Sequence, residues 1–559
     1  LKKLSWNYVE GNKLSPDESD ERKSFKHVVL KNKLSKSIKK INPWISDENI
    51  KTVIQEFTQI TNLNLMEANQ KIHEKLTKYI SVEQNLGEER KSHTVKIIDF
   101  ENLENNEFLI TNQFKVAGIN QNIIPDIILF VNGLPLAVVE CKSPFITNPM
   151  EAGINQLLRY CNKRKPEENE GAEKLFYYNQ ILVSTYNNQA RLGTISSRYE
   201  HYLEWKDVYP KNVEEFKDKS SQEILIEGVF NHKNFLDIIR NFTIFEVVEG
   251  KTIKKIPRYQ QYRAVHKTVE KISKGKNKKE KGGVIWHTQG SGKSLTMVFL
   301  AQVFRRNEEL KKYKLLYITD RTQLDSQLTT TFQNTQDETV LQADSAKDLR
   351  ELISKDSSDL ITSTIQKFQE IRGENLKVLN ESENIVVLID EAHRTQYGTF
   401  GMVLNTVLPN AAKIAFTGTP LLKSELTTGE FGDYIDKYTI EQSVEDGATL
   451  QILYEGREVK TKVEGESLDN LFEEYFSDKT KEEKNEIKRK YGIEKAVLEA
   501  PKRIRWVCLD IIKHYREKIQ PNGFKAMIVT SSRHAAVMYK NMLDELNAPN
   551  SNVIISGDH

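Results

Sequence analysis

The chain has 559 residues, and its 81 lysines and arginines against 79 acidic residues leave a net charge of only +2. That balance excludes a globally basic nucleic-acid coat, so contact with phosphate must come from local patches. Three scattered cysteines exclude a disulfide framework and a zinc site and point to a reducing, cytoplasmic compartment. No apolar run approaches a membrane-spanning length, no apolar leader stands at the start, and an opening Leu1 leads us to expect numbering that begins inside a longer product.

From residue 1 to about 100, apolar residues recur at three- and four-residue spacing between charged ones, which predicts helices. The pattern then changes to strand-like runs at 95–98, 108–116, 123–131 and 134–140, with Asn132-Gly133 as a hairpin turn between the last two. A helix around 150–160 and a strand at 180–184 complete a first α/β layer, assigned to residues 1–245. Within it, Pro125-Asp126 is followed by Glu140-Cys141-Lys142, the spacing of a PD-(D/E)xK nuclease. Two carboxylates can hold Mg²⁺ against a scissile phosphate, and a lysine can orient the hydroxide that attacks it.

Glu140 and Lys142 lie two apart on a strand and so share a face. A strict two-residue turn at Asn132-Gly133 would set Asp126 opposite Val139 and away from Glu140. An odd-length turn or a bulge near Gly133 is therefore predicted. Charged residues at strand ends are the bland reading of Asp and Glu-x-Lys alone. Against it, Gln156 and Tyr160 lie four apart on the following helix, on one face. They resemble the Gln-x-x-x-Tyr element of nucleases similar to that of the RecBCD recombination complex, where they would position DNA or the lysine. We assign Asp126 and Glu140 as metal ligands, with the Cys141 carbonyl available as a third, and Lys142 as catalytic. The Cys141 side chain is expected to be a buried bystander.

A second layer, residues 246–450, alternates helices with strands at 284–286, 314–319, 360–363, 385–390 and 413–417, the rhythm of a parallel, doubly wound, RecA-like sheet. Trp286-His-Thr-Gln-Gly-Ser-Gly-Lys-Ser294 falls between a strand and a helix. In that setting the backbone of Gly290, Ser291 and Gly292 can wrap phosphates, Lys293 can reach the β/γ-phosphates of ATP, and the Ser294 hydroxyl can meet Mg²⁺. Asp390, ending an apolar run, would hold the same Mg²⁺ through water, and Glu391 would orient or deprotonate the attacking water. Arg258-Tyr-Gln-Gln261 lies upstream, where helicases place an adenine-reading glutamine, here Gln261. Thr319-Asp-Arg-Thr322 and Thr362-Ser-Thr-Ile-Gln-Lys-Phe368 could grip a phosphate chain, and Thr417, Gly418 and Thr419 could relay the nucleotide state to DNA. The lysine-rich run 271–281 reads better as a solvated linker than as a phosphate contact. Residues 451–559 read as a charged helical segment, then strands at 525–531 and 553–556 that open a second RecA-like lobe without completing it.

The succession of the glycine loop, Thr-Asp-Arg-Thr322, Asp390-Glu-Ala-His-Arg-Thr-Gln-Tyr-Gly398 and Phe416-Thr-Gly-Thr-Pro-Leu421 resembles the motor subunit of type I restriction enzymes, members of helicase superfamily 2. Residues 438–447 and 526–533 continue the likeness, which places them in the second motor lobe. The resemblance implies ATP-driven translocation of double-stranded DNA, Mg²⁺-dependent cleavage of unmethylated duplex far from a recognition site, and methyltransferase and specificity subunits as partners. It also implies a nuclease ahead of the motor with Asp, Glu and Lys in the order seen here. One departure stands out: the second-lobe arginine that completes hydrolysis in that family would come after His559. This chain is expected to build one wall of the ATP cleft, binding nucleotide without efficient turnover. Two rivals remain, a stand-alone helicase–nuclease of DNA repair or another defence system, and a non-catalytic ATP-gated DNA clamp. Intact Lys293, Glu391, Glu140 and Lys142 speak against the clamp. Nothing in the chain reads a base sequence; its basic groups would meet phosphates.

Overall fold

The computed structural model describes residues 1–60, 63–85, 90–164, 170–319, 340–371, 376–390, 397–419, 431–457, 468–491 and 493–556. They form two compact units, residues 1–451 and 452–559. The first unit opens with the expected helices, α1 (Lys31–Ile41), α2 (Asp47–Thr58) and α3 (Leu65–Thr77). Their starts are fixed locally. Ser46 accepts from the Asn49 amide, and Asn64 with Glu67 closes a capping box, so side chains satisfy N–H groups that the first turns leave unpaired.

Six strands make the first main sheet, in the spatial order β1 (Asn7–Glu10), β2 (Phe108–Asn112), β3 (Ile127–Val131), β4 (Leu134–Lys142), β5 (Ile181–Tyr186) and β6 (Gln189–Gly193). β1 pairs with β2 and β4 with β5 in parallel; the other pairs are antiparallel. Asn132 and Gly133 do form a two-residue turn, both with positive φ. Register then steps from Phe130↔Pro135 to Leu129↔Ala137, leaving Leu136 as the extra residue of a bulge. The bulge required by the parity argument is present. Helix α4 (Pro149–Tyr160) lies across β4 and β5.

Helices α5 (Ser221–Phe230) and α6 (His232–Asn241) lead to a hairpin, Ile244–Val248 with Lys251–Lys255. The expected boundary at 245/246 is not a break in packing. Phe242, just after α6, rests against Tyr262 and His266 of α7 (Tyr259–Lys274) and Phe299 of α8 (Lys293–Arg306). One hydrophobic core therefore runs from Trp6 to Tyr438.

The second sheet has seven strands, all paired in parallel: β7 (Gly283–His287), β8 (Lys314–Thr319), β9 (Val340–Gln342), β10 (Leu360–Thr364), β11 (Ile385–Asp390), β12 (Ala412–Thr417) and β13 (Tyr434–Tyr438), in the order β9-β10-β8-β11-β12-β7-β13. Alternate residues face two different cores. Ile285, Leu315, Val386 and Ile414 join the core shared with the first sheet, whereas Val284, Leu316, Val387 and Ala415 join a second one on the far face. Burial on both faces is why these strands read as unbroken apolar runs. β13 corrects one expectation: Tyr434–Tyr438 pairs beside β7 in this second sheet and a short helix, Ile440–Glu445, follows it directly, so residues 438–447 belong with this sheet and not with a second lobe.

The second unit is helical, with α9 (Leu468–Tyr475), α10 (Lys481–Tyr491), α11 (Ile493–Leu498), α12 (Pro501–His514) and α13 (Arg533–Glu545). Phe472, Tyr475, Val497 and Ala500 make one small core; Ile504, Cys508, Ile512 and Leu543 make another. The strands expected at 525–531 and 553–556 do not form. Met527 and Val529 are each 84% exposed and Ile554 93%. Among the described residues neither run has a strand beside it, and an apolar run without hydrogen-bonded neighbours leaves its own backbone groups unpaired. No helix among the described residues is long and apolar enough to cross a membrane.

Candidate functional site

The bulge at Leu136 decides the geometry of the first site. With Ile127 opposite Val139, the next step along the ladder sets Asp126 level with Glu140. The Cys141 amide donates to Asp126 Oδ2 at 2.8 Å, tying the two strand ends together. Lys142 Nζ donates to Glu140 Oε1 at 2.7 Å and also to Gln156 Oε1. Gln156 Nε2 in turn donates to the Tyr160 hydroxyl at 2.5 Å. The five residues expected from the sequence thus form one connected cluster. Cys141 departs from expectation: its side chain is exposed, because the burial of β4 lapses after Glu140.

Glu140 is only 2% exposed, and its Oε2 has no hydrogen-bond partner. Burial pushes its carboxyl up to about 7 against the pull of Lys142, and the charge of Asp126 adds to the rise. An orphaned buried carboxylate oxygen beside a second carboxylate is a fit for a divalent cation. Among the described residues no group of three or more His, Cys, Asp and Glu side chains is placed to hold a metal. Two carboxylates suit Mg²⁺, which keeps several waters or substrate oxygens in its shell. Gln113 completes the site and carried no sequence signal. Held at φ 49°, it donates its amide N–H to the Asp126 carbonyl and its Nε2 to Asp126 Oδ1, both at 3.0 Å.

The second site lies at the carboxyl edge of the parallel sheet. β7 runs into the loop 288–292 and then α8; Gly290 and Gly292 have φ of 83° and 88°, which L side chains rarely adopt. The backbone of Gly290 and Gly292 is exposed, as is Ser294 in the first turn of α8, whereas Lys293 is buried beneath them and Ser291 is pinned by its Oγ donating to the Thr288 carbonyl. Asp390 is buried at the end of β11. Glu391 and residues 320–322 lie outside the described residues. Thr362 and Thr364 are buried at the end of β10.

Gln261 is differently placed from its expected role. Its Oε1 accepts from the Arg258 amide at 2.8 Å and its Nε2 donates to the Gly292 carbonyl at 3.0 Å, so both ends of the amide brace the loop. Thr417 pairs with Trp286 across β12 and β7, and Thr419 N–H donates to Thr417 Oγ1 at 3.2 Å. Gly418 sits directly on the loop. A Cβ there would lie 2.9 Å from the Gln289 backbone nitrogen and 3.2 Å from Lys293 Nζ. Backbone cannot yield as a side chain does, so Gly418→Ala is expected to weaken ATP binding roughly tenfold in a fluorescent-nucleotide titration. An unchanged affinity would mean that this segment does not bear on the loop.

The chain matches two family models, Type I restriction enzyme R protein N terminus over residues 1–201 and SWI2/SNF2 ATPase over 260–485. The HindI endonuclease subunit of a Haemophilus influenzae type I restriction enzyme is 34% identical over 98% of this chain and 53% of its own length. A Methanocaldococcus jannaschii protein, provisionally named the endonuclease subunit of type I restriction enzyme MjaIXP, is 33% identical over 100% of this chain and 55% of its own. The chain spans about half the length of these curated relatives. A solved structure, the ATP-dependent Type ISP restriction-modification enzyme LlaBIII bound to DNA, aligns over 75% of this chain and 27% of its own at 14% identity and a TM-score of 0.33. With the N-terminal domain and the ATPase joined in one polypeptide and both relatives aligned along nearly all of it, the chain belongs to the family of type I restriction enzyme R, or endonuclease, subunits.

Proposed function

We propose that the chain serves as the DNA-translocating and DNA-cleaving subunit of a type I restriction–modification complex, cutting unmethylated double-stranded DNA away from the recognition site. The observation that carries this reading is the Leu136 bulge, which faces Asp126 and Glu140 together in the same compact unit as the glycine loop. Methyltransferase and specificity subunits would supply sequence recognition.

At the loop, the backbone of Gly290 to Gly292 wraps the phosphates of ATP, Lys293 meets the β/γ-phosphates, and Ser294 and Asp390 hold the accompanying Mg²⁺. Glu391 orients the attacking water. Thr417, Gly418 and Thr419, of which Gly418 sits against the loop, would pass its nucleotide state to the DNA-contacting segments. At the nuclease face, Asp126 and Glu140 would hold Mg²⁺, with the Cys141 carbonyl as a third ligand. That ion supplies positive charge for the scissile phosphate and lowers the pKa of a water. Lys142, steered by Glu140 and Gln156, has one further ammonium proton with which to orient the attacking oxygen. Tyr160 fixes Gln156.

The test is reconstitution of the full-length chain with methyltransferase and specificity subunits on long unmethylated duplex. Cutting should require ATP, Mg²⁺ and both partner subunits, and methylated DNA should survive. Cutting that needs neither partner would replace this reading with the stand-alone helicase–nuclease.

A further inference from the structure

The turn that joins Lys142 to α4, Ser143-Pro-Phe-Ile-Thr-Asn148, is exposed along its whole length. Phe145 near its middle is 96% exposed, more than any other large apolar side chain among the described residues of the first unit. Ile146 beside it is 42% exposed. The turn is nonetheless held in shape. The Phe145 amide donates to Ser143 Oγ at 3.3 Å, and the Ile146 amide donates to the Ser143 carbonyl at 3.5 Å. Pro144 and Pro149 fix φ on either side of the tip, and Asn148 turns at φ 50° into the first residue of α4. Both ends are fastened at the nuclease face: one leaves Lys142, and the other enters the helix whose Gln156 accepts from Lys142. Single apolar residues on a surface are ordinary. An aromatic ring standing in solvent on a braced turn, at the rim of a candidate metal site, calls for an occupant.

We propose that Phe145 is a wedge whose ring enters the DNA stack at a base step beside the scissile phosphate, opening that phosphate to Asp126 and Glu140. The inference rests on this face cutting DNA. Reach supports it. Three residues of chain span at most about 10 Å, so the ring stays close to the phosphate that Lys142 would meet. Successive phosphates of one strand lie about 3.4 Å apart along the duplex axis, which puts only a few base steps within that radius. Charge agrees, because residues 143–148 carry no carboxylate to repel the backbone, and Ser143, Thr147 and Asn148 offer polar groups to it. A protein partner seated on Phe145 would lie on the rim of a site that has to admit a duplex. A flat ring on a turn already ordered also gives up little freedom on insertion. Apolar side chains inserted in this way unstack a step and kink the duplex. The cost is lowest at pyrimidine–purine steps, so the wedge carries a consequence of its own: cuts should gather at those steps although no side chain reads a base.

The test uses the full-length chain in its complex with methyltransferase and specificity subunits, on long unmethylated duplex, with cut ends mapped by sequencing and ATP hydrolysis followed in parallel. Wild type should cut with an excess of ends at pyrimidine–purine steps. Phe145→Ala, at a position with no packing to lose, should cut about tenfold more slowly or worse, spread its ends evenly over all steps, and hydrolyse ATP as before. Phe145→Trp keeps a flat apolar ring and should keep both the rate and the pattern. The inference fails, with the nuclease reading intact, if Phe145→Ala cuts with the wild-type pattern, whether at the wild-type rate or more slowly. It fails equally if wild type cuts without preference among steps, or if Phe145→Ala no longer assembles with the partner subunits, which would make the ring a protein contact. If wild type does not cut, or if cutting survives Glu140→Ala, the nuclease reading itself falls and takes the wedge with it.

Discussion

Glu140→Ala is expected to abolish DNA cleavage by the full-length chain in its complex, on the order of a thousandfold or more, while ATP hydrolysis continues unchanged. The loss follows from removing one of the two carboxylates that the register brings level, Asp126 just before β3 and Glu140 on β4, and with it one of two acceptors that steer Lys142. The substitution should not destabilise the fold. Glu140 Oε2 is buried without a partner, and its carboxyl is pushed up to about 7 by burial, so the native state carries this group at a penalty. Removing it relieves that penalty, and the melting temperature should hold or rise. Loss of cutting together with undiminished stability separates a catalytic role from a structural one. Persistent cutting would leave the Asp126–Lys142 hairpin as scaffold only.

The parts of this architecture that were legible from sequence are those set by periodicity and parity. The parallel strands of the motor announced themselves because both faces are buried, and strand 314–319 matches the structure residue for residue. The Leu136 bulge was deducible because a strand alternates faces every residue, so two acids on one face fix whether the connection is odd or even. What escaped had no periodic signature. Four-residue β1 is too short to show one. Gln113 acts through a left-handed backbone that no residue type betrays. The identical chemistry of Gln260 and Gln261 hid which amide braces the loop; only helix phase, expressed through the capping bond to Arg258, separates them. The boundary at 245/246 followed a change of pattern along the chain, whereas Phe242 binds the layers across space. Strands at 525–531 and 553–556 were read from composition, which promises a strand but cannot promise neighbours.

Asp436→Asn is expected to cost about 3 kcal/mol of unfolding free energy, the scale for breaking a buried ion pair by removing one partner. Asp436 is a buried hub on β13. It accepts from Arg263 Nε and Nη2 at 2.7 and 2.9 Å, from Lys267 Nζ at 2.9 Å, and from His287 Nε2 at 3.0 Å. Arg263 Nη1 also donates to Asp207 Oδ2 at 2.6 Å. One chain of charge thus joins the segment after the nuclease sheet, α7, β13 and the last residue of β7 before the glycine loop. Burial works to raise the Asp436 carboxyl, but hydrogen bonds from His287 and Arg263 and the charge of Arg263 overcome it and hold it well below the usual carboxylate range. A folded-state pKa below the unfolded one contributes stability above the unfolded value, about 4, and loses it as pH falls further toward the folded one. The gap between wild type and Asp436→Asn in urea unfolding should therefore be full at pH 7 and begin to close only below about pH 4. Because His287 leads directly into the loop, the variant should also bind ATP more weakly at temperatures where it remains folded. A variant as stable as wild type at pH 7 would mean that Asp207 alone suffices for Arg263, and that the coupling of nuclease and motor layers rests on the Phe242 core.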